Sequence, residues 1–151
     1  MDFGFSLVGI ILLLMLFVPN ILWSRYPPKD YEKYSKNENR ILLALERIGE
    51  VLVVIFSLFC GVNFSFDVIL FMIFILMSIY ELYWIRYFKG PKTMHDMYCS
   101  YRGIPLPGAT LPVMSFFLFG VCANNLFLII SSVILGIGHI GIHFAHAQEI
   151  S

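Results

Sequence analysis

One uncharged stretch limits the folds open to this chain more than any other feature. Residues 111–147 contain no Asp, Glu, Lys or Arg over 37 positions. As a single α-helix this stretch would be about 55 Å long, whereas the hydrocarbon core of a bilayer is about 30 Å thick. It must therefore break, and Asn124-Asn125 is the best position for the break. The stretch predicts a short helix over 111–123 and a membrane span over 126–148.

The composition extends this prediction to the whole chain of 151 residues, of which 59% are hydrophobic and only 13% charged. Soluble domains carry about 25% charged residues, so the chain is predicted to be an integral membrane protein. Apolar runs predict three earlier helices, over 3–23, 35–59 and 68–88. We therefore expect an all-α transmembrane helix bundle, with five spans in one domain over 1–151. If the short helix is re-entrant, four spans remain.

Two local patterns set the predicted helix starts. Ser35 is followed by Glu38 three residues later, which is a capping-box pattern and places the start of the second helix there. Thr110 precedes Leu111-Pro112, and proline is tolerated in a first helical turn. Thr110 is therefore predicted to cap the fourth helix.

The Lys and Arg residues predict the orientation in the membrane. Six of the ten lie in 25–47 and four in 86–102. Loops rich in Lys and Arg stay in the cytoplasm, which makes 24–40 and 89–110 cytoplasmic and places the N-terminus outside. The turn over 61–67 is then outside. The C-terminus is inside with five spans and outside with four.

The last predicted span carries the candidate functional residues. His139, His143 and His146 are spaced i, i+4, i+7, which forms one stripe along a helix. In the five-span arrangement Glu50 and Glu81 reach a similar depth at the cytoplasmic end. Ionisable groups inside a membrane are usually functional, so these five side chains are predicted to face one polar cleft.

Two kinds of chemistry are compatible with such a cleft. Glu81, Glu50, His139 and His143 are predicted to bind an ion, a small molecule or protons, because imidazole titrates near neutral pH and buried carboxyls approach that range. Alternatively, His139, His143, His146 and Glu81 form a metal site, for which this ligand mixture suits Zn, Fe or Mn. The bland interpretation is that the histidines are solvated at the membrane interface.

A separate set of small residues predicts close helix packing. Gly136, Gly138 and Gly141 lie on the same span and allow another helix to approach. They form either a face for a second copy or a membrane partner, or a contact with another helix of the same chain.

The segments YELYWIRYFKG, GIPLPGATLPV and ILGIGHIGIH resemble small multi-span membrane proteins of Gram-positive, Clostridium-like bacteria. The resemblance extends over most of the chain. It implies a location in the bacterial plasma membrane, and it implies no activity, cofactor or catalytic residue.

The motifs that are missing narrow the function classes. The sequence has no Walker A motif, no GxGxxG and no GxSxG. It offers no soluble domain for nucleic-acid binding, so the expected surroundings are the lipid bilayer. Three functions remain: transport or binding of an ion or small molecule, a membrane-embedded metal-dependent enzyme acting on a lipid-like substrate, or an accessory or immunity subunit of a larger membrane complex.

Overall fold

The computed structural model describes residues 4–60 and 68–150, and within these residues the fold is all-helical, with no strand. The predicted outer turn over 61–67 lies outside the described residues. The first helix begins at Leu7, four residues later than predicted, because residues 4–6 are not helical and Ser6 caps the helix. Five long helices and two short ones make up the described chain: α1 Leu7–Arg25, α2 Tyr31–Ser35, α3 Arg40–Leu58, α4 Val68–Lys89, α5 Met94–Tyr98, α6 Pro107–Cys122 and α7 Leu126–Glu149.

Polar side chains fix the starts of three long helices. Ser6, Asn39 and Asn125 each accept a hydrogen bond from a backbone N–H in the first turn of α1, α3 and α7. Such caps satisfy donors that have no partner within the helix. Asn124 has a φ of 48°, a left-handed conformation that prevents α6 from continuing into α7 as one helix. The predicted break at Asn124-Asn125 is confirmed.

The second long helix begins five residues later than predicted, at Arg40 rather than at residue 35. Ser35 is the last residue of α2, a short helix inside the segment predicted as a loop over 24–40. Glu38 forms no capping box, because its carboxylate accepts hydrogen bonds from Tyr31 and contacts His146 instead. A tertiary contact therefore replaces the local one.

The fourth long helix begins earlier than predicted, at Pro107 rather than at residue 111. Proline at the first helical position loses no hydrogen bond, because that N–H has no partner within the helix. Thr110 is not the cap: its hydroxyl donates to the carbonyl oxygens of Pro105 and Leu106. The predicted loop over 89–110 also contains α5, so it is partly helical.

Glycines bring α3 and α7 into the most extensive contact of the bundle. A Cβ built on Gly49 would lie 2.5 Å from Leu135 Cα, and one on Gly138 would lie 2.6 Å from Leu42 O. Because the residue number rises along α7 as it falls along α3, the two helices are antiparallel. Of the two interpretations of the glycine stripe, the contact within the chain is the one observed at Gly138.

Contacts at the helix ends fix the directions of α1 and α4. The backbone N–H of Ser6 donates to Leu58 O at 2.9 Å, so α1 begins where α3 ends. The Tyr87 hydroxyl donates to Tyr26 O at 3.0 Å, so α4 and α1 finish at the same end of the bundle. Both helices therefore run antiparallel to α3.

The position of α6 completes an alternating arrangement. Gly108 packs against Tyr83 near the end of α4, and Gly120 packs against Ile129 near the start of α7. The long helices therefore alternate in direction along the chain. We call the end at which α1, α4 and α7 finish and α3 and α6 begin the basic end. Every Lys and Arg of the sequence lies at or near it.

Three of the described helices, α1, α4 and α7, are long and apolar enough to cross a membrane. Side chains such as Phe71, Ile75 and Phe144 are exposed on their outer faces, as expected for contact with lipid. α3 is outside this group because it carries four charged residues, Arg40, Glu46, Arg47 and Glu50. α6 is outside it because it has only 16 residues. The chain is therefore a helix bundle with three candidate membrane spans among its described residues.

Candidate functional site

A cavity of about 370 Å³, with both polar and apolar lining, lies between α1, α3, α6 and α7, with α2 and α5 against it at the basic end. Its apolar lining includes Val53, Phe116 and Leu135. Among its lining residues, Phe17 of α1 and Arg47 of α3 are exposed at the surface. The described polar side chains that line it are Asn20, Ser24, Tyr31, Glu38, Glu46, Arg47, Glu50, Tyr98, His139 and His143.

The contact between Glu46 and His139 joins the two sides of the cavity. Glu46 Oε1 lies 2.5 Å from His139 Nδ1, and the two side chains are 11% and 21% exposed. Gly138, directly before His139, allows α7 to approach the backbone of α3 closely enough for this contact. The pair is therefore built by helix packing, and one proton can lie between the carboxylate and the imidazole.

His143 extends this pair along α7. Its ring centroid lies 4.4 Å from that of His139, and the residue is only 7% exposed. Its Nδ1 atom is buried and has no hydrogen-bond partner among the described residues. A buried polar atom without a partner costs free energy, so a ligand or a water in the cavity is a natural partner for this ring.

The ring of Tyr98 in α5 contacts the rings of His143 and His146. Its ring centroid is 5.0 Å from that of His143 and 5.1 Å from that of His146. Burial raises the pKa of the Tyr98 phenol, and the nearby Tyr31, Tyr83 and glutamates act in the same direction. The phenol therefore remains neutral at physiological pH.

A second histidine–carboxylate pair lies next to the cavity. His146 Nε2 is 3.0 Å from Glu38 Oε1, which also accepts a hydrogen bond from the Tyr31 hydroxyl at 3.1 Å. The other imidazole nitrogen, Nδ1, lies 3.6 Å from Glu149 Oε2. Burial, followed by the nearby Glu38, raises the pKa of the Tyr31 phenol. Tyr31 therefore remains a hydrogen-bond donor to Glu38.

Of the predicted carboxylates, Glu50 lies at the rim of the cavity. Its side chain is 42% exposed and forms an ion pair with Arg47 at 3.0 Å. The histidine contact belongs instead to Glu46, one helical turn earlier. The predicted cleft therefore contains Glu50, while the buried acidic partner of His139 is a different residue.

The structure does not bring Glu81 together with the histidines. None of the described cavity-lining residues comes from α4, the helix that carries Glu81. Glu81 Oε1 is buried and has no hydrogen-bond partner among the described residues. The predicted common cleft for all five side chains is thus incomplete, because equal depth along the bundle does not place two helices face to face.

The predicted metal ligands also do not form one group. In residues 4–60 and 68–150, no three His, Cys, Asp or Glu side chains are placed to hold a metal ion together. His139 and His143 are adjacent, but His146 faces Glu38 and Glu81 lies on α4. A site for Zn, Fe or Mn remains a prediction from the sequence pattern alone.

Sequence reasoning missed Glu46, Glu38 and Tyr98 as members of the site. A signal for Glu46 was present: the buried residues of α3 are Glu46, Gly49, Val53 and Ser57, spaced by three or four positions. Glu46 therefore continues the stripe of small and apolar residues that faces the bundle, whereas Glu50 lies beside it. Glu38 and Tyr98 lie in connecting segments, for which the sequence has no comparable periodicity.

Comparison of the chain with family models, with curated proteins and with solved structures gives no match. The resemblance to small membrane proteins of Gram-positive bacteria therefore stays a prediction, and the site has to be interpreted from its own geometry.

Proposed function

We propose that the protein is a small membrane transport component, in which the cavity binds a small solute and exchanges protons with the cytoplasm. The observation that carries the proposal is the continuous set of contacts from Glu46 through His139 to His143 on the cavity wall. Imidazole gains and loses a proton near neutral pH. A cavity lined by such groups can link solute binding to proton uptake and release.

The accompanying topology has five spans across the plasma membrane, with the N-terminus outside and both basic loops on the cytoplasmic side. It is supported by the alternating directions of the long helices and by the position of all Lys and Arg at the basic end. In this topology α3 crosses with its charged residues near the cytoplasmic end, where Glu46 faces the cavity and Arg47 pairs with Glu50. The cavity then opens on the cytoplasmic side.

The proton route follows from the order of the groups. Glu46 and His139 share a hydrogen bond, so a proton can pass between them with little movement. The neighbouring ring of His143 receives it through a rotation of the imidazole or through a water in the cavity. Tyr98 separates His143 from His146 and its partner Glu38. The two histidine–carboxylate pairs thus lie at successive points along the same face of α7.

Proton flux into liposomes tests this proposal, because protons are the simplest solute of such a site. The protein is reconstituted with an entrapped pH indicator, and a potassium gradient with valinomycin makes the interior negative. We expect the wild type to acidify the interior faster than empty liposomes do. Glu46→Gln should lower the protein-dependent rate by about tenfold or more. In enzymes, a positioned side chain that transfers a proton contributes a factor on the order of 10²–10⁴ to the reaction rate.

Glu50→Gln is the matched control, because Glu50 lines the rim, lies on the same helix and pairs with exposed Arg47. It should keep a rate within about twofold of the wild type, since exposed ion pairs contribute little. Equal rates for Glu46→Gln and wild type, or a wild-type rate equal to that of empty liposomes, would contradict the proposal. Size-exclusion profiles in detergent check that both variants are folded.

The two other functions predicted from the sequence have less support. A metal-dependent enzyme requires a ligand group that the described residues do not form. An accessory subunit requires a free contact face, whereas Gly138 packs against α3 within the chain. Both remain predictions, and so does a homo-oligomer formed through the outer surface of the bundle.

A further inference from the structure

We propose that the cavity binds a small protonated amine beside the Glu46 carboxylate. This proposal rests on the proposed function and names the substrate class of the same site. Four features of the cavity carry it: its charge, an unpartnered imidazole, its aromatic wall and its size.

The charge of the lining favours a cation. Glu38, Glu46 and Glu50 line the cavity, and Arg47 is the one Arg or Lys among its described lining residues. The Arg47 side chain is 69% exposed and is already paired with Glu50. Glu38 and Glu46 are left with histidines as partners. An anionic ligand would meet two buried carboxylates without a permanent positive charge beside them.

In the tautomer that carries its proton on Nε2, His143 can accept a hydrogen bond from a ligand. It lines the cavity, is 7% exposed, and has a buried Nδ1 without a partner in the described chain. A neutral imidazole carries one acceptor nitrogen. An ammonium group carries N–H donors for this acceptor and for the Glu46 carboxylate, and an alkali ion or a quaternary ammonium carries none.

The remaining wall suits the hydrocarbon part of an amine. Phe17, Trp23, Tyr98 and Phe116 line the cavity together with Leu135 and other aliphatic residues. Aromatic faces attract ammonium groups and also cover apolar surface. A volume of about 370 Å³ is near the lower limit of ligand pockets. An amine with one ring or a short chain therefore fits better than a larger molecule.

Titration calorimetry on the full-length protein in detergent tests the inference. Benzylammonium is the probe, with benzyl alcohol and benzoate as neutral and anionic compounds of similar shape, and sodium chloride as the inorganic cation. We expect benzylammonium alone to bind.

Variants connect binding to the cavity. Glu46→Gln should weaken benzylammonium binding by about tenfold or more. If this variant unfolds, Glu38→Gln tests the same effect by removing the other histidine-paired carboxylate of the cavity. Glu32→Gln, at an exposed position of α2 that is not among the described cavity-lining residues, should stay within about twofold of the wild type. Equal binding of benzyl alcohol, or equal weakening by Glu32→Gln, would overturn the inference.

The two proposals fail in different ways. Proton flux that depends on Glu46, together with no benzylammonium binding or with binding of sodium instead, would overturn the amine and leave the transport function standing. If proton flux is absent as well, the transport function also fails.

Discussion

At the scale of single residues, the site depends on which carboxylate each histidine contacts. Glu46 is buried and faces His139, Glu38 is partly buried and faces His146, and Glu50 is half-exposed and faces Arg47. An exposed ion pair is weakened by water and contributes little to stability or binding. A buried pair is costly to break, because removal of one partner leaves the other without compensation. Glu46 and Glu38 are therefore the carboxylates whose removal should matter.

Tyr31 provides a test of the second pair that is independent of any ligand. Tyr31→Phe removes the hydroxyl that donates to Glu38 at 3.1 Å. A hydrogen bond to a charged group contributes about 1.5–3 kcal/mol when buried, and about 1–2 kcal/mol is expected for this half-buried site. Thermal unfolding in detergent near neutral pH should therefore show a lower Tm for the variant.

The same variant has a defined pH dependence. The folded protein raises the pKa of Tyr31, through burial and then Glu38, above the value of about 10 that holds in the unfolded chain. The stability that this raised pKa contributes is fully present below pH 10 and is lost as the pH rises towards the folded pKa. The Tm difference between wild type and Tyr31→Phe should be constant up to about pH 9 and narrow above about pH 10. A difference that grows with alkaline pH would contradict the contact.

The histidine stripe shows how much of the site could be predicted from residues. The spacing of His139 and His143 on one helix face was visible in the sequence, and both residues line the cavity. Glu81 was predicted to line the cleft because it lies in an apolar helix. Its position along the helix gives its depth in the membrane, but not the side of the helix on which its carboxylate lies. The role of Glu38 depended on a contact that spans 108 positions along the chain, for which local pattern gives no information.

At the scale of helices, the contact between α3 and α7 determines whether the site exists. Gly49 and Gly138 lie at this contact, where added methyl groups would overlap the backbone of the facing helix. Backbone atoms cannot move aside as the end of a flexible side chain can, so the helices themselves would separate. Separation would draw Glu46 away from His139.

Gly138→Ala is therefore expected to be destabilising, although alanine favours helices. The new Cβ would lie 2.6 Å from Leu42 O and 2.8 Å from Glu46 Cα. Overpacking of this kind costs about 1–3 kcal/mol, which outweighs the gain of up to about 1 kcal/mol from helix propensity. Thermal unfolding in detergent should show a clearly lower Tm, and the proton flux should fall with it.

Gly136→Ala is the matched control on the same helix. Its Cβ would meet a side-chain atom, Val113 Cγ1, at 3.0 Å, and that side chain can adjust. The loss of stability should be smaller than for Gly138→Ala. An equal loss at both positions would indicate that neither glycine is set by the backbone contact between α3 and α7.

The helices themselves were largely predictable, and their starts were less so. Uncharged apolar runs give the positions of α1, α4 and α7 to within a few residues, because the length of a span is set by bilayer thickness. The starts of α3 and α6 were wrong by five and four residues. In both cases a side chain that resembles a cap, Glu38 or Thr110, forms a different hydrogen bond in the folded chain.

At the scale of the whole molecule, the alternating helices bring the two basic segments and the end of α7 to one side. The described residues at the opposite end carry no charge. This separation explains why charge patterning along the sequence predicts orientation, even though formal net charge is zero. It also places the cavity, with His139, His143 and Glu46, in the half of the bundle that faces the cytoplasm in the proposed topology.

The central claim is that the histidine end of α7 lies on the cytoplasmic side, together with the two basic segments. A reporter joined after Ser151 measures this directly, with a second reporter inserted at Lys92 as reference. The account predicts that green fluorescent protein is fluorescent at both positions and that alkaline phosphatase is inactive at both. Active phosphatase after Ser151, with an inactive one at Lys92, would place the histidines on the opposite side and contradict the account.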